Sequence, residues 1–177
     1  MGRRLTHGSV SCPNNASGWR KDSFVPEEAD RLGWRTEAVS AATFDAQFHV
    51  DARAGALLIA ELAARHRRRR ASWGRIISLT SGGPMGFPGE VSYGAAKAAL
   101  DNYTMAASVE LAADGITANV IHPPVTDTGW VTDDVRRLVA ESTEHVHIAM
   151  PEEVAEVIAW LCTDTARLLT GNIVRLR

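Results

Sequence analysis

Two short apolar runs restrict the architectures open to this chain. Arg75-Ile76-Ile77-Ser78-Leu79-Thr80 and Ile116-Thr117-Ala118-Asn119-Val120-Ile121 are too short for helices, and neither alternates as cleanly as a half-exposed strand would. Strands that are apolar on both sides belong in a parallel sheet with both faces covered. Parallel neighbours need a long crossover. The segment between the runs provides one: Val91 to Ala113 is an Ala-rich helical stretch closed by Asp114-Gly115.

The same alternation extends to both sides. Gly8 to Cys12 reads as a short strand, and Phe24 to Ser40 as a loop with at most one helical turn. A helix is expected from Thr43, with Thr43 as its cap and Asp45 in the first turn. Phe44, Phe48, Asp51, Gly55, Leu58 and Leu62 follow at spacings of four and three, which predicts one buried face. Asp51 is an odd carboxylate within that stripe. The helix ends in Arg65-His66-Arg67-Arg68-Arg69-Arg70, a solvated end whose cations suit the helix dipole; no aromatic residues interleave it as in a nucleic-acid patch. After the second run, residues 129–148 are polar, with a helical piece near Val131 to Glu141. Pro151 to Leu161 is a helix with proline at its first position, and Asn172 to Arg177 is a last strand. The sum is an α/β fold, a partial doubly wound parallel sheet, as one domain over residues 1–177.

Composition narrows the functional classes. With 177 residues, 45% apolar and a net charge of −2, the chain is neither disordered nor a charged nucleic-acid or membrane binder. Cys12 and Cys162 form no CxxC pair, so no metal site is expected, and a reducing cytoplasm is the simplest location. No apolar run spans a bilayer, and the basic start has no apolar segment behind it.

Chemistry concentrates at Tyr93-Gly-Ala-Ala-Lys97. The two side chains are four apart on a helix and share a face. Among nineteen basic residues only Lys21 and Lys97 are lysines. An ammonium beside a phenol favours the phenolate, so Tyr93 is expected to have a lowered pKa and to move a proton to or from a carbonyl or alcohol. The strand ending in Thr80-Ser81 brings hydroxyls to the carboxyl edge of the sheet, where open α/β sheets bind ligands. Asn119 to Thr128 runs from a strand into a loop at that same edge.

In this order and spacing the chain resembles the short-chain dehydrogenase/reductase family over about residues 9 to 177. Asn14-Asn15-Ala16-Ser17 is similar to the family's Asn-Asn-Ala-Gly turn. Gly74 to Ser81 resembles the strand carrying the catalytic serine, and Ser92 to Ala99 the Tyr-x-x-x-Lys helix. His122-Pro123-Pro124-Val125-Thr126-Asp127-Thr128 resembles the Pro-Gly loop, and the segments at Leu161 and Thr170 the closing helix and strand. The nearest flavour is a 3-oxoacyl-carrier-protein reductase. The resemblance implies NADP or NAD as cofactor and a small carbonyl or alcohol as substrate. Tyr93 would be the acid/base and Lys97 the ribose-holding ammonium. Thr80, thirteen residues before Tyr93, would hold the serine position, with Ser81 as the neighbour that can act instead. Asp51 would stand at the family's relay asparagine. Asn14, Ala16, Pro123, Val125 and Thr128 would line the cofactor. It also implies a homo-oligomer, a dimer or tetramer, packed through the helices Thr43–His66 and Val91–Ala113.

Three departures stand beside the resemblance: Thr80 for serine, Asp51 for asparagine, and no Gly-rich phosphate loop ahead of the first strand. Gly82 to Gly89 follows the wrong strand and contains Pro84 and Pro88, which lack amide protons. The sequence therefore reads as the C-terminal part of a truncated domain. The second reading is a catalytically inactive remnant serving as an oligomerisation or interaction module.

Overall fold

The computed structural model describes residues 10–30, 32–83 and 85–177. In chain order the elements are β1 (Val10–Asn14), β2 (Asp22–Ser23), β3 (Glu37–Ala38), α1 (Ala41–Gln47), a π-helical stretch (Phe48–Ala54), α2 (Gly55–Arg68), β4 (Gly74–Leu79), α3 (Val91–Glu110), a 3-10 turn (Ala112–Asp114), β5 (Ile116–His122), α4 (Asp133–Glu141), α5 (Pro151–Leu161), a second 3-10 turn (Asp164–Ala166) and β6 (Ile173–Arg175).

β1, β4, β5 and β6 form one parallel sheet in that order, as the two apolar runs require. Alternation along β4 sends its side chains to opposite faces. Ile76 joins Leu62, Ala63, Ala107, Leu111 and Ile116 beneath α2 and α3. Ile77 joins Ile121, Val154 and Leu161 beneath α5. Both central strands are buried from end to end except at their last residue. The expected Gly8–Cys12 strand is seen as Val10–Asn14; Gly8 lies outside the described residues. The Phe24–Ser40 loop is bounded by the small parallel pair β2–β3, which holds the segment in place.

The first long helix differs from expectation. Ser40, not Thr43, is the N-cap: Ser40 Oγ accepts from the Thr43 amide (3.2 Å) and Thr43 Oγ1 accepts from the Ser40 amide (3.0 Å). The helix is also not uniform. The π-helical stretch shifts its phase, so the buried positions include Thr43, Gln47, Asp51 and Gly55, while Phe44 and Leu58 stay 45% and 48% exposed. Within the basic tail, His66 is buried and its Nε2 pairs with the Asp114 carbonyl at 2.8 Å, so the tail is not wholly solvated.

Helix α3 passes into β5 through Gly115, whose φ is 75°. A Cβ there would sit 2.3 Å from the Ser72 carbonyl oxygen. Gly115→Ala is therefore expected to destabilise the fold by about 1–3 kcal/mol, measured by urea unfolding.

Candidate active site

The site lies at the carboxyl edge of the sheet, where β1 and β4 end and α3 begins. α3 presents Tyr93 and Lys97 one turn apart, and Lys97 is buried. The π-helical stretch delivers Asp51 opposite them. Gly55, one turn on, permits this: a Cβ there would meet Leu100 Cδ1 at 2.5 Å and Asn14 Nδ2 at 2.8 Å. Helix α2 thus lies closer to α3 and β1 than any side chain at position 55 would allow.

Asp51 is fully buried and heavily partnered. Lys97 Nζ lies 2.9 Å from Asp51 Oδ1, an ion pair by distance whose angle is off the hydrogen-bond line. The Gly18 amide (2.9 Å) and the Ser17 hydroxyl (3.2 Å) donate to Asp51 Oδ2. Lys97 also donates to the Leu79 carbonyl at 3.1 Å. Its ammonium is 5.4 Å from the centre of the Tyr93 ring. The Phe87 ring packs against Tyr93 at 5.9 Å.

The expectation that Lys97 lowers the Tyr93 pKa fails here. Tyr93 is pushed up to about 12, first by burial, then by the Asp51 and Glu90 carboxylates, against a smaller downward pull from the Ser81 and Ser17 hydroxyls. The ammonium is paired with Asp51, and burial of the phenol prevails.

The hydroxyl at the strand end also differs from the spacing argument. Ile76, Ser78 and Thr80 fall on the same face of β4 and point under α3: Ser78 pairs with Thr104 (2.7 Å), and Thr80 donates to Asp101 Oδ2 (2.9 Å). Thr80 thus spends its hydroxyl proton on Asp101, and Ser81, just beyond the strand, is the other hydroxyl at this edge.

The remaining candidates are more scattered. Asn14 ends β1 beside Gly55, and Ala16 is exposed in the turn after it. Pro123, Val125 and Thr128 lie in the loop leaving β5, pinned by Ala149 donating to the Val125 carbonyl (2.9 Å) and Asp127 donating to Ala149 (2.8 Å). No contact joins these three to Tyr93 among the described interactions. Sequence reasoning does not single out Ser17, although serine where the resembled turn has glycine was its visible signal. It also passes over Asp101 and Glu90, which carry no motif. Trp19 and Trp130 meet through Trp34, with ring centres 6.0 and 5.9 Å apart, and the Trp19 indole donates to Glu90 at 2.7 Å. Among the described residues no cluster suits a metal ion, and no helix is long and apolar enough to cross a membrane.

Comparison with known proteins places the fold in a family. A family model described as enoyl-(acyl carrier protein) reductase matches residues 25–176. The uncharacterized oxidoreductase YjdA of Bacillus subtilis (strain 168) is 35% identical over 162 residues, 91% of this chain and 60% of that protein. The 3-oxoacyl-[acyl-carrier-protein] reductase FabG of Pseudomonas aeruginosa is 33% identical over 114 residues, 59% of this chain and 44% of the relative. The crystal structure of angucycline C-6 ketoreductase LanV with bound NADP superposes with a TM-score of 0.73 at 27% identity, covering 93% of this chain and 60% of that one. The chain thus spans well under two thirds of the length of these proteins.

The Thr80–Asp101 contact generates a stability test. Burial raises the Asp101 pKa above its ordinary value, more than the Thr80 bond and the charges of His122, Lys97 and Arg175 lower it. Its Oδ1 is buried without a partner. The folded state therefore holds this proton more tightly than the unfolded chain, and stability from this group is lost as pH rises through the folded value. Asp101→Asn keeps an acceptor for Thr80 and removes the charge. Its urea midpoint is expected to exceed that of the wild type at about pH 7.5, and the gap to narrow toward about pH 4.

Proposed function

Since the chain belongs to the short-chain dehydrogenase/reductase family, we propose that it carries the proton-transfer centre of a nicotinamide-dependent carbonyl reductase or alcohol dehydrogenase. The observation that carries this reading is the convergence of the Tyr93 phenol, the Ser81 hydroxyl and the buried Lys97–Asp51 pair at one edge of the sheet. The substrate class is a small carbonyl compound or its alcohol. The family's relatives and the NADP-bound neighbour support a nicotinamide cofactor without deciding between NAD and NADP.

The donor set fits the nicotinamide end of such a cofactor. A phenol and an ammonium one helical turn apart suit ribose hydroxyls, and Asn14, Ala16 and the 123–128 loop border the same edge. When bound, the nicotinamide supplies or takes up the hydride. This chain's residues do the rest. Ser81 holds the substrate oxygen by a hydrogen bond. Tyr93 delivers a proton to that oxygen in reduction and removes one in oxidation. Lys97 orients the ribose, and Asp51 fixes Lys97.

A second reading, an interaction module, has its own observation. Ala56, Ile59, Ala60, Tyr103 and Ala106 line a groove between α2 and α3 that is open to solvent. This is the face through which the resemblance implies pairing, and it is compatible with the enzyme reading rather than exclusive of it.

Two outcomes are expected. In an assay of ketone reduction, Tyr93→Phe should lose about 10²- to 10⁴-fold in turnover while circular dichroism is unchanged, and Ser81→Ala should lose more activity than Thr80→Val. Near-normal turnover of Tyr93→Phe excludes the enzyme reading. In sedimentation velocity the chain should form dimers, and Ala106→Arg should shift it toward monomer; a concentration-independent monomer counts against pairing through this groove.

A further inference from the structure

Where the resembled site has an amide, this chain has a carboxylate, and its surroundings make that exchange consequential. Asp51 has no exposed surface and contacts Lys97 at 2.9 Å, with Gly18 and Ser17 on its other oxygen. An ammonium joined to a buried carboxylate presents little net charge to a third group nearby. The groups facing the Tyr93 phenol can be counted element by element. The π-helical stretch brings Asp51. α3 and the residue before it bring Lys97 and Glu90. The segments after β4 and β1 bring the uncharged hydroxyls of Ser81 and Ser17. The ammonium beside the Tyr93 ring is thus already paired with a buried carboxylate.

We propose that Asp51 is a positioning residue that keeps Tyr93 protonated by cancelling the charge of Lys97, so that the phenol is always available as a proton donor to a carbonyl, though a weak one, and is a slow base for alcohol oxidation except at strongly alkaline pH. The proposal rests on the reading of Tyr93 as the acid/base group. In reduction, hydride from the nicotinamide forms the new C–H bond, the Tyr93 O–H bond breaks as the substrate O–H bond forms, and the phenolate regains a proton from water. In oxidation the alcohol C–H bond would give its hydride to the oxidised nicotinamide, and the alcohol O–H bond breaks as the Tyr93 O–H bond forms, which requires phenolate beforehand. A phenol held above its ordinary value carries only a trace of phenolate near neutral pH. Oxidation should therefore rise about tenfold per pH unit across the neutral and mildly alkaline range, while reduction stays flat.

The test reads the phenol directly. The chain has two tyrosines, Tyr93 and Tyr103, so a chain labelled with carbon-13 at the tyrosine Cζ gives two resonances, and Tyr103→Phe assigns them. These are followed by NMR from about pH 7 upward, with circular dichroism reporting folding. The wild-type Tyr93 resonance is expected to keep its neutral-phenol position for as long as the chain is folded or to about pH 11. In Asp51→Asn it should titrate at least about one pH unit lower, the scale of a neighbouring charge. Ionisation of Tyr93 in the folded wild type at or below about pH 10 overturns the proposal, as does an unchanged midpoint in Asp51→Asn. Should that variant not fold, Asp51→Ser takes its place, because burial alone also raises the phenol and only loss of the carboxylate separates the two. No substrate or cofactor enters the measurement. A chain that shows this titration yet never reduces a ketone sinks the reductase reading alone, and an active chain with a low Tyr93 pKa sinks this proposal alone.

Discussion

The rest of the site depends on the ion pair between Lys97 and Asp51. Each charge is buried too deeply to stand alone, and an unpartnered charge at either position would cost several kcal/mol. The pair ties α3 to the π-helical stretch, and through Gly18 and Ser17 it also ties down the turn after β1. One contact thus joins three segments far apart in the chain. The wider π-helical turn is the local deviation that accommodates it, and such turns recur where a side chain must be aimed rather than merely packed.

Much of this was legible before the structure. A lysine four residues after a tyrosine, in a chain that otherwise uses arginine, marks a shared helix face whatever the fold. Proline followed by two glutamates set the start of α5, and the two apolar runs set the sheet. The errors have physical causes. Thr43 looked like a cap because capping boxes are reciprocal, and the partner residue, Ser40, has equal credentials. Phe44 and Leu58 were placed inward by a uniform helical period, which a π-helical stretch breaks without any sequence signal of its own. Distance along the chain from Tyr93 selects Thr80, and the Asp101 bond is invisible to that spacing. The alternation of Ile76, Ser78 and Thr80 on one side of β4 would have pointed it toward α3 instead.

The relationship to longer proteins bears on what the described residues can and cannot carry. They contain the Tyr93, Lys97 and Asp51 cluster and the groove between α2 and α3. The relatives carry further sequence beyond the matched region, about two fifths of the length of the Bacillus protein.

Gly55 has a consequence for how such a sequence can drift. Its missing side chain is the space occupied by Leu100 and Asn14, which come from different elements. Any larger residue there needs simultaneous retreat of both, and each retreat alone leaves a void or an unsatisfied amide. Positions 14, 55 and 100 therefore form an epistatic trio: single steps away from the present combination run downhill in fitness, and only a concerted change crosses. A glycine in mid-helix, ordinarily a weak point, becomes the residue least free to vary.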